Sequence, residues 1–155
     1  MKYIESPQKY LKKPAEISVF LAGGITGCPD WQQEITFFFR NTNMVVLNPR
    51  RKHFPINDPD AASEQIHWEF HHLRKADAIL FWFPKESVCP IALYELGAWT
   101  MTNKPIHIGM HPDYERKQDI KIQTKLRRPR SKIAYSLQEL ANQVMDYFAD
   151  KNTNI

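Results

Sequence analysis

Cysteine is nearly absent from this chain of 155 residues, with Cys28 and Cys89 its only two. Two thiols so far apart in sequence make neither a disulfide framework nor a thiol-rich metal knuckle, and they point to a reducing compartment. Long apolar runs are missing too. The longest, Ala76 to Pro84, is interrupted by Asp77 and falls far short of a membrane span. Residues 1–14 carry Lys and Glu but no apolar stretch with a small-residue cleavage site, so no secretory signal is apparent and a cytoplasmic location is expected. The five glycines nowhere adopt the GxGxxG spacing of a dinucleotide loop, and neither a GKS/T loop nor a GxSxG elbow occurs. His67 and His71 are four apart, but the segment His67-Trp68-Glu69-Phe70-His71 is not HExxH and no third ligand is placed nearby. No metal and no cofactor are expected.

What is present is ordinary globular material. Hydrophobic residues at 43 % and charged residues at 25 % exclude a disordered chain. The length fits one domain, 1–155, with residues 1–15 as an N-terminal extension. The net charge of +4 is unevenly placed: Arg116 to Lys132 holds eight bases against one acid, Asp119, leaving the remainder mildly acidic. Such a cluster reads as a solvated loop and helix face, and nucleic acid is not the expected partner.

Strand and helix signals alternate. Ile17 to Ala22 is short, apolar and β-branched, and ends at Gly23-Gly24, as a buried strand does. Pro29-Asp30 opens a helix to about Arg40. Met44 to Leu47 is a second strand, closed by Asn48-Pro49. A helix beginning at Asp60 or Ser63 runs to Lys75, with Ile66, Phe70 and Leu73 on its core face. Ala78 to Phe83 is apolar on both faces, as in a central parallel strand. A helix from Ile91 to Thr102, strands at Pro105–Gly109 and Ile133–Tyr135, and a helix from Ser136 to Lys151 complete the pattern. Ser136 and Glu139 make a capping box at the start of that last helix. The alternation predicts an α/β, doubly wound, five-stranded parallel sheet in the flavodoxin-like order 2-1-3-4-5. Ligands in such sheets bind outside the carboxyl ends of the strands, at the switch in strand order.

Several chemistry-bearing segments end at that edge. Gly23-Gly24-Ile25-Thr26-Gly27 lets backbone amides approach a sugar or anion closely. Asn48 and Arg50 follow the second strand. Glu95 lies one turn into its helix, where the helix dipole is expected to keep a carboxylate ionised, as suits a nucleophile. Glu69 shares a helix face with Gln65 at i, i+4, and Asp77 opens the central strand. Cys89 precedes a helix start and reads as an ordinary thiol, with no histidine evidently its partner.

Taken in order, Phe20-Leu21-Ala22-Gly23-Gly24-Ile25-Thr26, Asp30-Trp31, Leu47-Asn48-Pro49-Arg50, Gln65…Trp68-Glu69, Ala76-Asp77, Phe81-Trp82-Phe83-Pro84 and Tyr94-Glu95-Leu96-Gly97 resemble the nucleoside 2-deoxyribosyltransferase-like family. The resemblance runs from Val19 to about Gln123. It implies a flavodoxin-like fold and exchange or hydrolysis of the N-glycosidic bond of 2′-deoxynucleosides. It makes Glu95, in the ELG motif, the nucleophile, Glu69 an acid on the sugar and base side, and Asp77 a supporting acid. Gly23, Gly24 and Thr26 would cradle the sugar, Asn48, Arg50 and Cys89 would flank it, and Trp31, Trp68 and Trp82 would offer stacking surfaces. This chain departs from the family in having Phe20 where a Tyr is common, Cys89 where transferases place an Asp, and Thr26 where enzymes acting on monophosphates have an Arg. The expected partners are a deoxynucleoside, a nucleobase and further copies of the chain, and the segment His111 to Leu126, with Tyr114 and Gln123, is expected to meet a neighbouring protomer or to close over the ligand. A hydrolytic glycosidase and a non-catalytic nucleotide-binding protein are the alternatives.

Overall fold

The computed structural model describes residues 1–153. Along the chain run β1 (Lys2–Glu5), β2 (Ile17–Gly23), α1 (Trp31–Phe38), β3 (Met44–Asn48), α2 (Ala61–Lys75), β4 (Ala78–Phe83), α3 (Pro90–Thr100), β5 (Ile106–Met110), α4 (Lys117–Arg127), β6 (Ile133–Ala134) and α5 (Leu137–Thr153). All strand pairs are parallel, and the order across the sheet is β1-β3-β2-β4-β5-β6. The five expected strands lie in the expected order, but the sheet has six.

The sixth is the N-terminal segment. Residues 1–15, expected as an extension, contribute β1, which pairs with β3 from Lys2 beside Val45 to Glu5 beside Asn48. Four residues carry too little local pattern to announce a strand. What holds this one is long-range: a ladder along the edge of β3, and Ile4 buried in the core.

Alternation along the central strands divides the core in two. Ile79, Phe81 and Phe83 of β4 pack with Phe20 and Ala22 toward α2 and α3. Ala78, Leu80 and Trp82 pack with Val19 and Leu21 toward α1 and α5. Every residue of β4 is buried, as a strand covered on both faces must be. Each large apolar side chain enclosed in this way stabilises the fold by roughly 1.5–3 kcal/mol.

The core face of α2 is revised, and so is the view of every base between Arg116 and Lys132 as merely solvated. In α2, Leu73 is buried as expected, but Ile66 and Phe70 are exposed, and the inner face is built by Ala61, Trp68 and His72. The apolar residues of this helix lie on opposite sides, Trp68 on one and Ile66 and Phe70 on the other, so periodicity alone could not choose the face. Phe20 on the sheet chooses it by packing against Trp68, which also stacks on His72 at 4.0 Å. Within the basic segment lies a helix, α4, seated by Ile120 and Thr124 at i, i+4. Just beyond it, Arg128 donates to the carbonyls of Trp99, Thr100, Thr102 and Lys104, capping the end of α3. One of the eight bases is therefore a structural clasp.

Candidate active site

β2 and β4 lie side by side, yet their chains depart in different directions, and the loops 24–30 and 84–89 rise from their carboxyl ends. Between those loops opens a cavity of about 320 Å³, lined by Phe20, Gly23, Gly24, Thr26, Pro49, Glu69, Ser87, Cys89, Ile91 and Glu95 among others. This is the switch point of the sheet.

The glycine turn is held from beneath by the first turn of α1. Trp31 Nε1 donates to Gly24 O at 2.8 Å, and Gln32 Nε2 donates to the same oxygen at 3.3 Å. The absence of a side chain is required at Gly23, where a Cβ would fall 2.2 Å from the Trp82 carbonyl oxygen. Arg50 braces the same loop from the side, donating to Pro29 O at 2.8 Å, Cys28 O at 3.0 Å and Gln32 Oε1 at 3.1 Å.

Glu69 and Glu95 face this cavity from α2 and α3. Gln65 Nε2 donates to Glu69 Oε1 at 2.7 Å, the i, i+4 contact read from the sequence. Burial raises the Glu69 carboxyl, while the Gln65 hydrogen bond and the Arg51 charge pull the other way. Nothing offsets burial at Glu95, whose carboxyl is pushed up to about 8, first by desolvation and then by the Glu69 charge. The expected ionisation by the helix dipole does not prevail. Glu95 is the sixth residue of α3, past the free amides of the first turn, where the dipole has largely faded.

Other expected site residues stand elsewhere. Asn48 and Arg50 line an adjoining polar cavity of about 810 Å³, which shares Ile25 and Thr26 with the first and also holds Tyr3, Arg51 and Lys52. Asn48 is buried, receives the Arg50 amide at 2.9 Å and donates to the Tyr3 hydroxyl at 2.6 Å. Asp77 precedes β4 and so lies at the opposite end of the sheet from the cavity. Its carboxylate accepts from the Ser18 amide at 2.7 Å, the Ser18 hydroxyl at 2.9 Å and the Lys12 ammonium. Burial pushes this group up, but those donors outweigh it and hold it below the ordinary aspartate value.

The tryptophans offer no open stacking wall, since Trp31, Trp68 and Trp82 are all buried. Cys89 is a buried thiol raised to about 11, chiefly by desolvation. Tyr114 does not reach outward. It is buried against Phe83, and its hydroxyl donates to Val88 O at 2.7 Å, steadying the loop that carries Cys89. Gln123 and Asp119 do share a face, lining a crevice between α3 and α4.

Reading the sequence missed Ser87, which lines the cavity and accepts from the Cys89 amide at 3.1 Å. It also missed the link from Ser6 and Arg51 to Gln65, at 2.8 and 2.7 Å. That link depends on the unforeseen strand β1, and no local pattern could have announced it.

Comparison with known proteins bears on this geometry directly. A family model described as nucleoside 2-deoxyribosyltransferase like matches residues 16–114. The chain belongs to this family. The matched span runs from the start of β2 past β5, and so includes the glycine turn, both cavity acids and Cys89. Among curated proteins, none matches the chain. Among the described residues no helix is long and apolar enough to cross a membrane, and no group of three or more potential metal-ligating His, Cys, Asp or Glu side chains occurs.

Proposed function

We propose that the protein transfers a 2-deoxyribosyl group between nucleobases by cleaving the N-glycosidic bond through a glycosyl-enzyme on Glu95. The observation that carries this is the pairing of Glu95 with Glu69 in one cavity beside the glycine turn, in a chain of this family. Glu95 attacks the anomeric carbon of the sugar, and positive charge develops there as the base departs. That charge favours the ionised form of Glu95, offsetting the desolvation that otherwise keeps its proton on. Glu69 handles the proton of the departing base and, in the second half, of the incoming one. Gly23, Gly24 and Thr26 meet the 5′ side of the sugar. Asp77 acts at a distance, by fixing the start of β4 against β2.

The preferred substrate is the unphosphorylated deoxynucleoside. Arg50, the nearest candidate for a phosphate, already spends its guanidinium on the carbonyls of the glycine loop. Chromatography of deoxynucleosides incubated with and without an acceptor base tests the reading. Base exchange is expected. Release of free base alone would replace transfer by hydrolysis, and no reaction with either would leave a binding protein.

The companion proposal is a homo-oligomer. Ile66, Phe70, Ile91 and Tyr94 are exposed and line an apolar groove of about 400 Å³ between α2 and α3. Glu69 and Glu95 also line that groove, so a second copy seated there would close the active site from behind.

A further inference from the structure

Cys28 and Cys89 are remote in sequence, but the loops that carry them meet at Gly24. A Cβ on Gly24 would fall 2.7 Å from Cys28 Sγ and 2.7 Å from Cys89 Sγ, so the two sulfurs flank one point that only glycine leaves free. The thiols sense each other, since Cys28 is among the groups that raise Cys89. Cys89 lines the cavity that holds Glu95. Cys28, which donates to Thr26 O at 3.5 Å, lies within the glycine loop. Among the described residues Cys89 is the one non-glycine position at positive φ, +54°. Residues with a side chain seldom adopt this left-handed conformation, and here it accompanies a sulfur set against Gly24.

We propose that this pair is a redox modification site, at which hydrogen peroxide entering the cavity oxidises Cys28 and Cys89 to a disulfide that ties the two loops together and shuts the active site. The Cys89 thiolate attacks one peroxide oxygen, the O–O bond breaks, and the departing hydroxide takes a proton and leaves as water. Cys89 is then a sulfenic acid. The Cys28 sulfur attacks that sulfur, the S–S bond forms, and the S–O oxygen leaves as a second water carrying the Cys28 proton. Two thiols lose two electrons and two protons, and one peroxide becomes two waters.

Burial keeps both thiols protonated near neutrality. The step is therefore slow, and it speeds up about tenfold per pH unit as the thiolate fraction rises. Cys89 is the first sulfur to react because the cavity reaches it.

The test treats the reduced full chain with hydrogen peroxide at neutral and mildly alkaline pH, then denatures it, alkylates free thiols and measures mass. Expected are no alkylatable thiol, a loss of about 2 Da, a peptide joining Cys28 to Cys89, and full reversal by dithiothreitol. In a Cys28→Ser variant, oxidation should stop at a sulfenic acid on Cys89, trapped by dimedone. Amide exchange in residues 23–30 and 86–96 should slow tenfold or more in the oxidised protein. Two cysteines that stay alkylatable, or oxidise singly with no joined peptide, would overturn the proposal, and unchanged exchange would remove the closure. None of these readouts needs a substrate, so they stand or fall apart from the deoxyribosyl reading.

Discussion

A carboxyl group that attacks an anomeric carbon must first lose its proton, and burial at Glu95 opposes that loss. With the last proton of the Glu69–Glu95 pair lost near 8, and Glu95 needed ionised while Glu69 is protonated, the specificity constant for a deoxynucleoside should trace a bell, rising as the first carboxyl ionises and falling about tenfold per pH unit above 8 as the second does. A profile flat from pH 5 to 9 would remove Glu95 as the group that must ionise. The same shift acts on stability. Between about 4.5 and 8 the native chain keeps a proton that the unfolded chain has lost, so stability falls as pH rises through this window. Replacing Glu95→Gln should lower turnover by about a thousandfold or more. It should also raise the unfolding free energy at pH 8, by on the order of 2 kcal/mol, with little change near pH 4. Urea titrations at the two pH values check the sign. A nucleophile whose removal stabilises the fold is a group held at the expense of stability, and that pattern separates it from a structural acid.

Asp77 shows the opposite pattern, and it does so as part of an element. Its carboxylate joins the start of β4 to Ser18 of β2, so Asp77→Ala should lower stability by about 1–3 kcal/mol while turnover per folded molecule stays near normal. A large loss of turnover with stability intact would return Asp77 to the chemistry. Arg128 belongs to the same scale. Arg128→Ala should cost about 2 kcal/mol by leaving the end of α3 without its donors, whereas Arg127→Ala should cost little in thermal unfolding. These contrasts also show what the sequence made legible. Apolar runs such as Ala78–Phe83 are strands wherever they lie in a parallel sheet, and Gln65 and Glu69 meet because helix geometry alone joins i to i+4. What depends on a distant partner was hidden. Strand β1 exists through β3, the inner face of α2 is selected by Phe20, and Arg128 acts through carbonyls more than twenty residues away. The glycine turn was legible because it sits at a strand end, and the two cavity acids because they fall within segments that resemble the family, Gln65…Trp68-Glu69 and Tyr94-Glu95-Leu96-Gly97. The state of Glu95 was not, because desolvation is a property of the assembled cavity.

At the scale of the whole molecule the exposed apolar residues are not scattered. Ile66 and Phe70 project from α2, Ile91 and Tyr94 from α3, and they border one groove whose floor includes both cavity acids. An apolar surface of this kind, left in water, costs solubility and marks an interaction site. The groove backs directly onto the active site, so whatever covers it also controls how dry Glu69 and Glu95 become. A second copy of the chain is the proposed cover, and a stable pairing needs roughly 800 Å² from each partner, more than the groove alone supplies. The outer faces of α2 and α3 must therefore meet as a whole. Phe70→Asp and Tyr94→Asp each place a charge in that contact without touching the buried core, so both variants should fold with near-normal thermal stability at low concentration. Light scattering should show the wild type as a dimer or larger and each variant as a monomer. Activity should fall with dissociation, and the apparent Glu95 value, about 8 in the lone protomer, should be lower in the monomeric variants than in the assembled wild type, where the partner excludes more water. A wild type that scatters as a monomer at working concentrations, with a pH profile unchanged in both variants, would leave the acids desolvated by their own protomer and the groove without this role.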